Sequence, residues 1–452
     1  MLIVFFIILL VILYFSYEFT GRNIYSPSFM LSAGYSVTTI FAIYNEERWG
    51  TEVSFWMLLI LLIGIFSFTI TQLFLSRIFP KPSAKKNSLI CYQMEYLQKA
   101  TSSISKVLLV TAVSLIMSYF LYLDVIRIAY INFREWGNLL YNFKSNISDY
   151  RLSSLSTIGF RWTKAFAYFY LFVFINNISD ISKTKWEKIR KNIIFLLPCL
   201  VYIGQSLLIG GRISIVMFII AALFLAYLIK FYKYRKWMQI DIKKIIIAAV
   251  FFVAFCVFFY EVQELIGRQQ ESEGILDYIA SYLGGSIDLF SQYIREPMGR
   301  QEYIETFSGI ISNLQNYFGM FLNVQYHTTH EFRRAASGVL IGNTYTGFRN
   351  YYNDFGLSGV FIFTVLLSLI FCGVYYIISQ YNSLNRMRVF LIITYSMLLY
   401  CIPFHFFTDY FFLGVSISFM LDIAFVFFAV LFVCKKIPKQ INIQNEEKGV
   451  LR

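Results

Sequence analysis

Arginine and histidine are spread unevenly along this 452-residue sequence, and the unevenness marks where chemistry is possible. Between Glu261 and Gly356 the basic side chains are Arg268, Arg295, Arg300, Arg333, Arg334 and Arg349, with no lysine, although lysine is used freely elsewhere. A planar guanidinium grips two phosphate or carboxylate oxygens at once, which an ammonium does not. These arginines are therefore candidates for holding an anionic group. The same stretch carries eleven acids, so any one arginine has the alternative of an ion pair within the segment.

Histidine is confined to His327, His330 and His405. His330 stands in the string His327-Thr-Thr-His330-Glu331-Phe-Arg333-Arg334, where Glu331 can orient an imidazole that takes a proton near neutral pH. It is the first choice as a general base, with Asp354 and Asp409 second. Each aspartate precedes an apolar run and has the plainer alternative of capping a helix. The histidine string matches neither the His-Glu-x-x-His zinc motif nor its inverted form, so no metal and no cofactor is expected. Gly210-Gly211-Arg212 opens another apolar run, where helix N–H groups beside a guanidinium suit a diphosphate. The alternative is a glycine turn with Arg212 reaching to the surface.

The elements that must carry these residues are nearly all apolar. With 58% apolar, 20% aromatic and 14% charged residues, the composition excludes an ordinary soluble domain. Runs fit to cross a bilayer occur at about Leu2–Ser16, Phe29–Tyr44, Ser54–Leu75, Val107–Leu123, Arg161–Asn177, Ile193–Ile209, Ile213–Ile229, Ile245–Tyr260, Leu357–Ser379, Val389–Ile402 and Tyr410–Cys434. The first lacks a basic flank and a cleavage site, so it reads as a retained helix. The reading is an all-α polytopic membrane protein of about eleven transmembrane helices. Residues 1–260 hold the first eight, 261–356 form one large extracytoplasmic loop, and 357–452 hold the last three and a short tail.

Basic clusters at Arg77–Lys86, Lys183–Lys191, Lys230–Lys244, Arg386–Arg388 and Lys435–Lys439 fall on alternate loops, which places those loops in the cytoplasm. The net charge of +13 is thus a topology signal, and its dispersal argues against nucleic-acid binding. All three histidines then lie outside. Within the large loop, Ile275, Ile279, Tyr282, Ser286, Phe290 and Tyr293 share one helical face, as do Tyr303, Phe307, Ile310, Leu314, Phe318 and Phe321. Both read as amphipathic helices lying on the membrane surface or on the bundle ends. The six cysteines are scattered through apolar runs or one side's loops and indicate no disulfide framework.

The string Asn343-Thr-Tyr-Thr-Gly-Phe-Arg349-Asn-Tyr-Tyr-Asn-Asp354-Phe-Gly-Leu-Ser-Gly entering a helix, with Gly210-Gly-Arg212-Ile-Ser, resembles the bacterial oligosaccharide repeat-unit polymerases of O-antigen and capsule synthesis. The resemblance implies a glycosyltransferase of the bacterial cytoplasmic membrane, working on the outer face. It would move a growing glycan from undecaprenyl diphosphate onto the next lipid-linked repeat unit. Donor and acceptor would both be lipid-linked oligosaccharides, and a flippase and a chain-length regulator would be its protein partners. External arginines are expected to be essential in such proteins. In that setting Arg212, Arg295, Arg300, Arg333, Arg334 and Arg349 bind diphosphate, while Asn343, Tyr345, Tyr351 and Tyr352 meet the glycan. Two other readings stay open: an O-antigen ligase with the same donor, which the His330 string also resembles, and a lipid-linked glycan flippase or exporter. A flippase needs charges along a path through its helices, and most of these runs are uncharged in their middles.

Overall fold

The computed structural model describes residues 1–79, 103–131, 139–147, 150–179, 185–234, 257, 260–261, 274–297, 304–318, 330–379 and 385–434. The chain folds as α1 (Leu2–Phe19), α2 (Pro27–Trp49), α3 (Phe55–Ile78), α4 (Ile104–Ala129), α5 (Leu139–Asn146), α6 (Ser154–Ile178), α7 (Lys185–Asn192), α8 (Leu197–Leu208) and α9 (Arg212–Tyr234). There follow α10 (Ile275–Arg295), α11 (Ser308–Phe318), β1 (Arg333–Arg334), β2 (Leu340–Gly342), α12 (Phe348–Ser379), α13 (Arg386–Leu398) and α14 (Ile417–Val433). Among the described residues, seven helices are long and apolar enough to cross a membrane: α1, α3, α4, α6, the run Ile189–Leu208 that includes α8, α9 and α12.

The remaining expected spans divide by physical cause. The run Phe29–Tyr44 is helical within α2, but its far end carries Asn45, Glu46, Glu47 and Arg48. Val389–Ile402 becomes the 13-residue α13 followed by a 3-10 turn, Leu399–Cys401. Tyr410–Cys434 yields a 17-residue helix, α14, because its first residues fold into turns. Ile245–Tyr260 lies almost wholly outside the described residues. The chain is also not purely helical: β1 and β2 form a small antiparallel hairpin, with Arg333 opposite Gly342 and Arg334 opposite Leu340.

Helix α6 forms the centre of one half, packing against α4, α8, α9 and α14. Its residues Ala165 to Val173 are all buried, as expected of a helix that is apolar all round. In the other half α3 packs along α12, where the Ser368 hydroxyl donates to the Phe68 carbonyl at 2.9 Å. Helix α10 was expected as an amphipathic helix on the membrane surface or on the bundle ends; it packs against α2, and the amide of Ser54, just before α3, donates to the Ser291 hydroxyl at 2.8 Å. Its expected face is the buried one: Ile279, Ser286, Phe290 and Tyr293 are all inside. The described part of the large loop is therefore built onto the helical bundle.

Candidate functional site

Helix α12 begins inside the stretch read as loop, and its first turn carries Arg349 at 2% exposure. The turn is pinned from outside, because the Gly347 amide donates to the His405 carbonyl at 2.8 Å. The guanidinium lies between two aromatic rings, 4.3 Å from the Tyr293 centroid and 3.9 Å from that of Tyr345. Such cation–π contacts gain strength where water is excluded. Its Nη2 donates to Glu305 Oε1 at 3.1 Å and to Glu331 Oε2 at 2.7 Å. Nε and Nη1 are buried and have no hydrogen-bond partner among the described residues. One edge of the fork is therefore committed to carboxylates, and two donors remain for something else.

Glu305, 4% exposed, is held in place by an aspartate. Asp354 accepts from the Glu305 amide at 3.1 Å, from the Thr306 amide at 2.8 Å and from Asn353 Nδ2 at 2.9 Å. It caps the turn before α11, not the helix that follows it in sequence. A carboxylate with these commitments is a positioning group, which weakens its candidacy as a base. Burial pushes the Glu305 carboxyl up, but His330 and Arg349 outweigh that and hold it below the usual carboxylate range. Glu331 behaves alike, burial being outweighed by Arg349.

His330 stands edge-on to Tyr345, ring centroids 5.4 Å apart. Its Nδ1 lies 3.6 Å from Glu305 Oε1, an ion-pair separation longer than a hydrogen bond. The acid beside His330 is thus Glu305, and the expectation that Glu331 orients it is corrected. Glu331 instead accepts from Arg349, from Arg333 Nε at 3.2 Å and from the Tyr345 hydroxyl at 3.0 Å. Arg333 also donates to the Glu296 carbonyl at 2.9 Å. Asn343 reaches the His330 carbonyl at 3.4 Å. His330, Arg333, Asn343, Tyr345, Arg349 and Asp354 are therefore brought together, with Glu305, Glu331 and Tyr293.

The other expected site residues are placed differently. Arg212 opens α9, 6% exposed, with its guanidinium 5.9 Å from the Tyr278 ring. Tyr278 and Tyr293 both lie on α10, so Arg212 and Arg349 contact positions about 22 Å apart along that helix. The two arginines do not share one diphosphate site. Gly210, at φ +64, forms a tight turn here with its amide donating to the Leu207 carbonyl at 2.8 Å. Arg295 pairs with Glu52, and Arg334 donates to the Gly338 carbonyl at 3.0 Å. Both line a polar cleft with Gly50, Asp288, Gln292 and Glu296. Tyr351 is fully buried against His405, Phe363 and Phe412, so it offers no face to a sugar. Tyr352 is half-buried. Arg300 and His327 lie outside the described residues.

Asp409 and His405 form a second, closed cluster. His405 Nδ1 meets the Tyr35 hydroxyl at 3.0 Å, and Nε2 lies 3.5 Å from that of Tyr351. Asp409 Oδ1 accepts from the Phe411 and Phe412 amides, both at 3.1 Å, while Oδ2 has no hydrogen-bond partner among the described residues. Burial pushes the Asp409 carboxyl up to about 7 and the His405 imidazole down to about 3. Among the described residues, no three His, Cys, Asp or Glu gather as a metal site.

Comparison with protein-family models, with curated proteins and with solved structures finds no match. Sequence reasoning passed over Glu305 and Tyr293, one counted among many acids and the other among apolar face residues. Their signal was present in part, since Tyr293 is one of two polar-tipped tyrosines, with Tyr282, on the amphipathic face of α10. Nothing local in sequence joins Glu305 to Arg349.

Proposed function

We propose that this chain is a membrane glycosyltransferase that polymerises undecaprenyl-diphosphate-linked repeat units into O-antigen or capsular polysaccharide, outside the cytoplasmic membrane. The observation that carries the reading is Arg349: a buried guanidinium at the head of a membrane helix, with Nε and Nη1 uncommitted. Breaking the bond between the anomeric carbon and a lipid diphosphate leaves negative charge on a phosphate oxygen. Fixed donors in a dry site stabilise that charge without a metal. The acceptor hydroxyl oxygen forms the new bond to the anomeric carbon and gives its proton to His330 at Nε2, while Nδ1 faces Glu305 at 3.6 Å. The Tyr293 and Tyr345 rings and the two glutamates keep Arg349 aimed.

The test supplies the purified full chain, in lipid vesicles, with an undecaprenyl-diphosphate-linked repeat unit. A ladder of products is the expected result. Single transfer onto a separate acceptor would replace the polymerase with a ligase, and failure to form any glycosidic bond would remove the enzyme reading in favour of transport.

A further inference from the structure

Away from Arg349, the long apolar helix α6 and the shorter apolar helix α14 share a charge cluster that does not balance. Asp422 on α14 takes Arg161 Nη1 at 3.0 Å and Lys164 Nζ at 2.7 Å, both from α6 and both on the same Oδ2. Two cations on one carboxylate leave an excess positive charge, which is expensive to keep within a bilayer. The carboxylate sits at the back, with 5% of its side chain exposed, while Arg161 keeps 26% and Lys164 15%. The cations thus face outward, and the acid does not. Arg161 Nε, Asp422 Oδ1 and the Tyr168 hydroxyl are buried and have no hydrogen-bond partner among the described residues. Arg161, Lys164 and Tyr168 share one helical face by their spacing.

The flanks say what kind of anion can arrive. Ile158, one turn before Arg161 on α6, is exposed at 42%, and Leu155 on α6 and Met420 on α14 are exposed at 44% and 58%, so these two helices carry open apolar surface as well as the cations. Arg161 and Lys164 lie about 10 and 15 Å along α6 from Ser154, and Asp422 about 8 Å along α14 from Ile417. That end of α14 is tied to the Arg349 side of the molecule, because the Ile417 amide donates to Asn313 Oδ1 on α11 at 3.2 Å. We propose that Arg161 and Lys164 form a second anion site, for the phosphate or diphosphate head of a membrane lipid, separate from Arg349.

Charge balance gives the test a sign that a purely structural ion triad lacks. Lys164→Gln leaves a neutral Arg161–Asp422 pair and lowers lipid binding at least about tenfold. Arg161→Gln does the same by leaving Lys164–Asp422. Asp422→Asn frees both cations and raises binding. The probes are phosphatidylglycerol, undecaprenyl diphosphate and inorganic diphosphate, each titrated onto the full chain in zwitterionic nanodiscs and read by native mass spectrometry. All proteins keep Arg349, and the site is read as the binding that Lys164→Gln removes, so that the proposed catalytic site cancels. Tighter binding of undecaprenyl diphosphate than of phosphatidylglycerol assigns the site to a diphosphate head, and equal binding to any phosphate-bearing lipid. Inorganic diphosphate binding as well as the lipids would overturn the lipid assignment. Loss of binding in Asp422→Asn along with the two cation variants, or no change in any of them, would overturn the site itself.

Discussion

Replacing Arg349 with lysine keeps a positive charge between Tyr293 and Tyr345 but removes the fork that serves Glu305, Glu331 and the open edge together. Loss of one charge-assisted contact in a dry site is worth about 2 to 4 kcal/mol, so Arg349→Lys should slow polymer formation roughly thirtyfold to a thousandfold at normal membrane abundance. Arg349→Ala should lower abundance as well, since stranding a buried charge partner costs about 3 to 5 kcal/mol. Immunoblots read beside activity separate the two effects. His330→Ala should cost about a hundredfold or more in rate with little loss of protein; full activity would pass the base role to another group. The Asp409 and His405 pair gives a pH prediction in which the signs oppose. Asp409 is raised to about 7, so it binds more protons folded than unfolded between its ordinary value and 7, and its contribution to stability falls as pH rises through that range. His405 is lowered to about 3, so its contribution rises with pH from about 3 to the ordinary histidine value. Among the described residues, Tyr35, Tyr351 and Cys401 are titratable groups that feel the Asp409 charge, and none of the three is a cation. In wild type the two slopes offset across mildly acid pH. Asp409→Asn should leave the rising slope alone, so its melting temperature climbs with pH up to about 6.5 and exceeds wild type near pH 8. Melting curves of the two proteins that stay parallel from pH 4 to 8 would contradict the buried, protonatable Asp409.

At the scale of elements, the site depends on a break inside α12. Gly356 has φ 61 and ψ −149, a conformation that side chains with a Cβ strongly resist, and it separates Phe348–Phe355 from the apolar span that follows. No atom lies within 4 Å of a Cβ added there, so Gly356→Ala acts through backbone strain alone. Keeping the kink would cost about 1 to 3 kcal/mol, and straightening the helix would swing Arg349 and Asp354 away from Tyr293 and Glu305. Activity should fall at least about tenfold while the protein still reaches the membrane; wild-type activity would show that the kink does not aim the site. The sequence made this junction visible, because polar and aromatic residues give way to an apolar run at Leu357. It also made α10 legible as an amphipathic helix, since the apolar spacing matches the turn of a helix. What α10 packs against was not legible, because a periodic face records that something covers it and not which element does. The same limit hid Glu305: its link to Arg349 spans 44 residues and is made by the capping of a turn by Asp354. Arg212 shows the converse, since a glycine turn beside a helix start looks alike whether or not a ligand sits there.

For the whole molecule, the distribution of charge predicts which end of the bundle faces out, and labelling checks it. On the expected count of about eleven spans, lysine and arginine gather on alternate loops, and the positive-inside rule then predicts the Arg349 cluster on the outer face. The count of spans enters directly, because one helix more or fewer between two basic clusters would reverse every assignment beyond it. Seven of the described helices have the length and apolarity to span, while α2, α13 and α14 are each too polar or too short by the same measure. Single-cysteine labelling decides the matter without counting helices. The four described cysteines are buried, so a chain with Cys91 and Cys256 changed to serine gives a quiet background. Ser337 is exposed in the turn between β1 and β2, near the site, and Trp186, at 81% exposure on α7, lies in a basic cluster assigned to the cytoplasm. Ser337→Cys should react with a membrane-impermeant thiol reagent added to intact cells, and Trp186→Cys only after the membrane is opened. The reverse pattern would put Arg349 and His330 in the cytoplasm, where an outer-face polymerase has no substrate. Labelling of both from outside would mean that the number of crossings between residues 186 and 337 is even, and the span count over that interval would have to change by one.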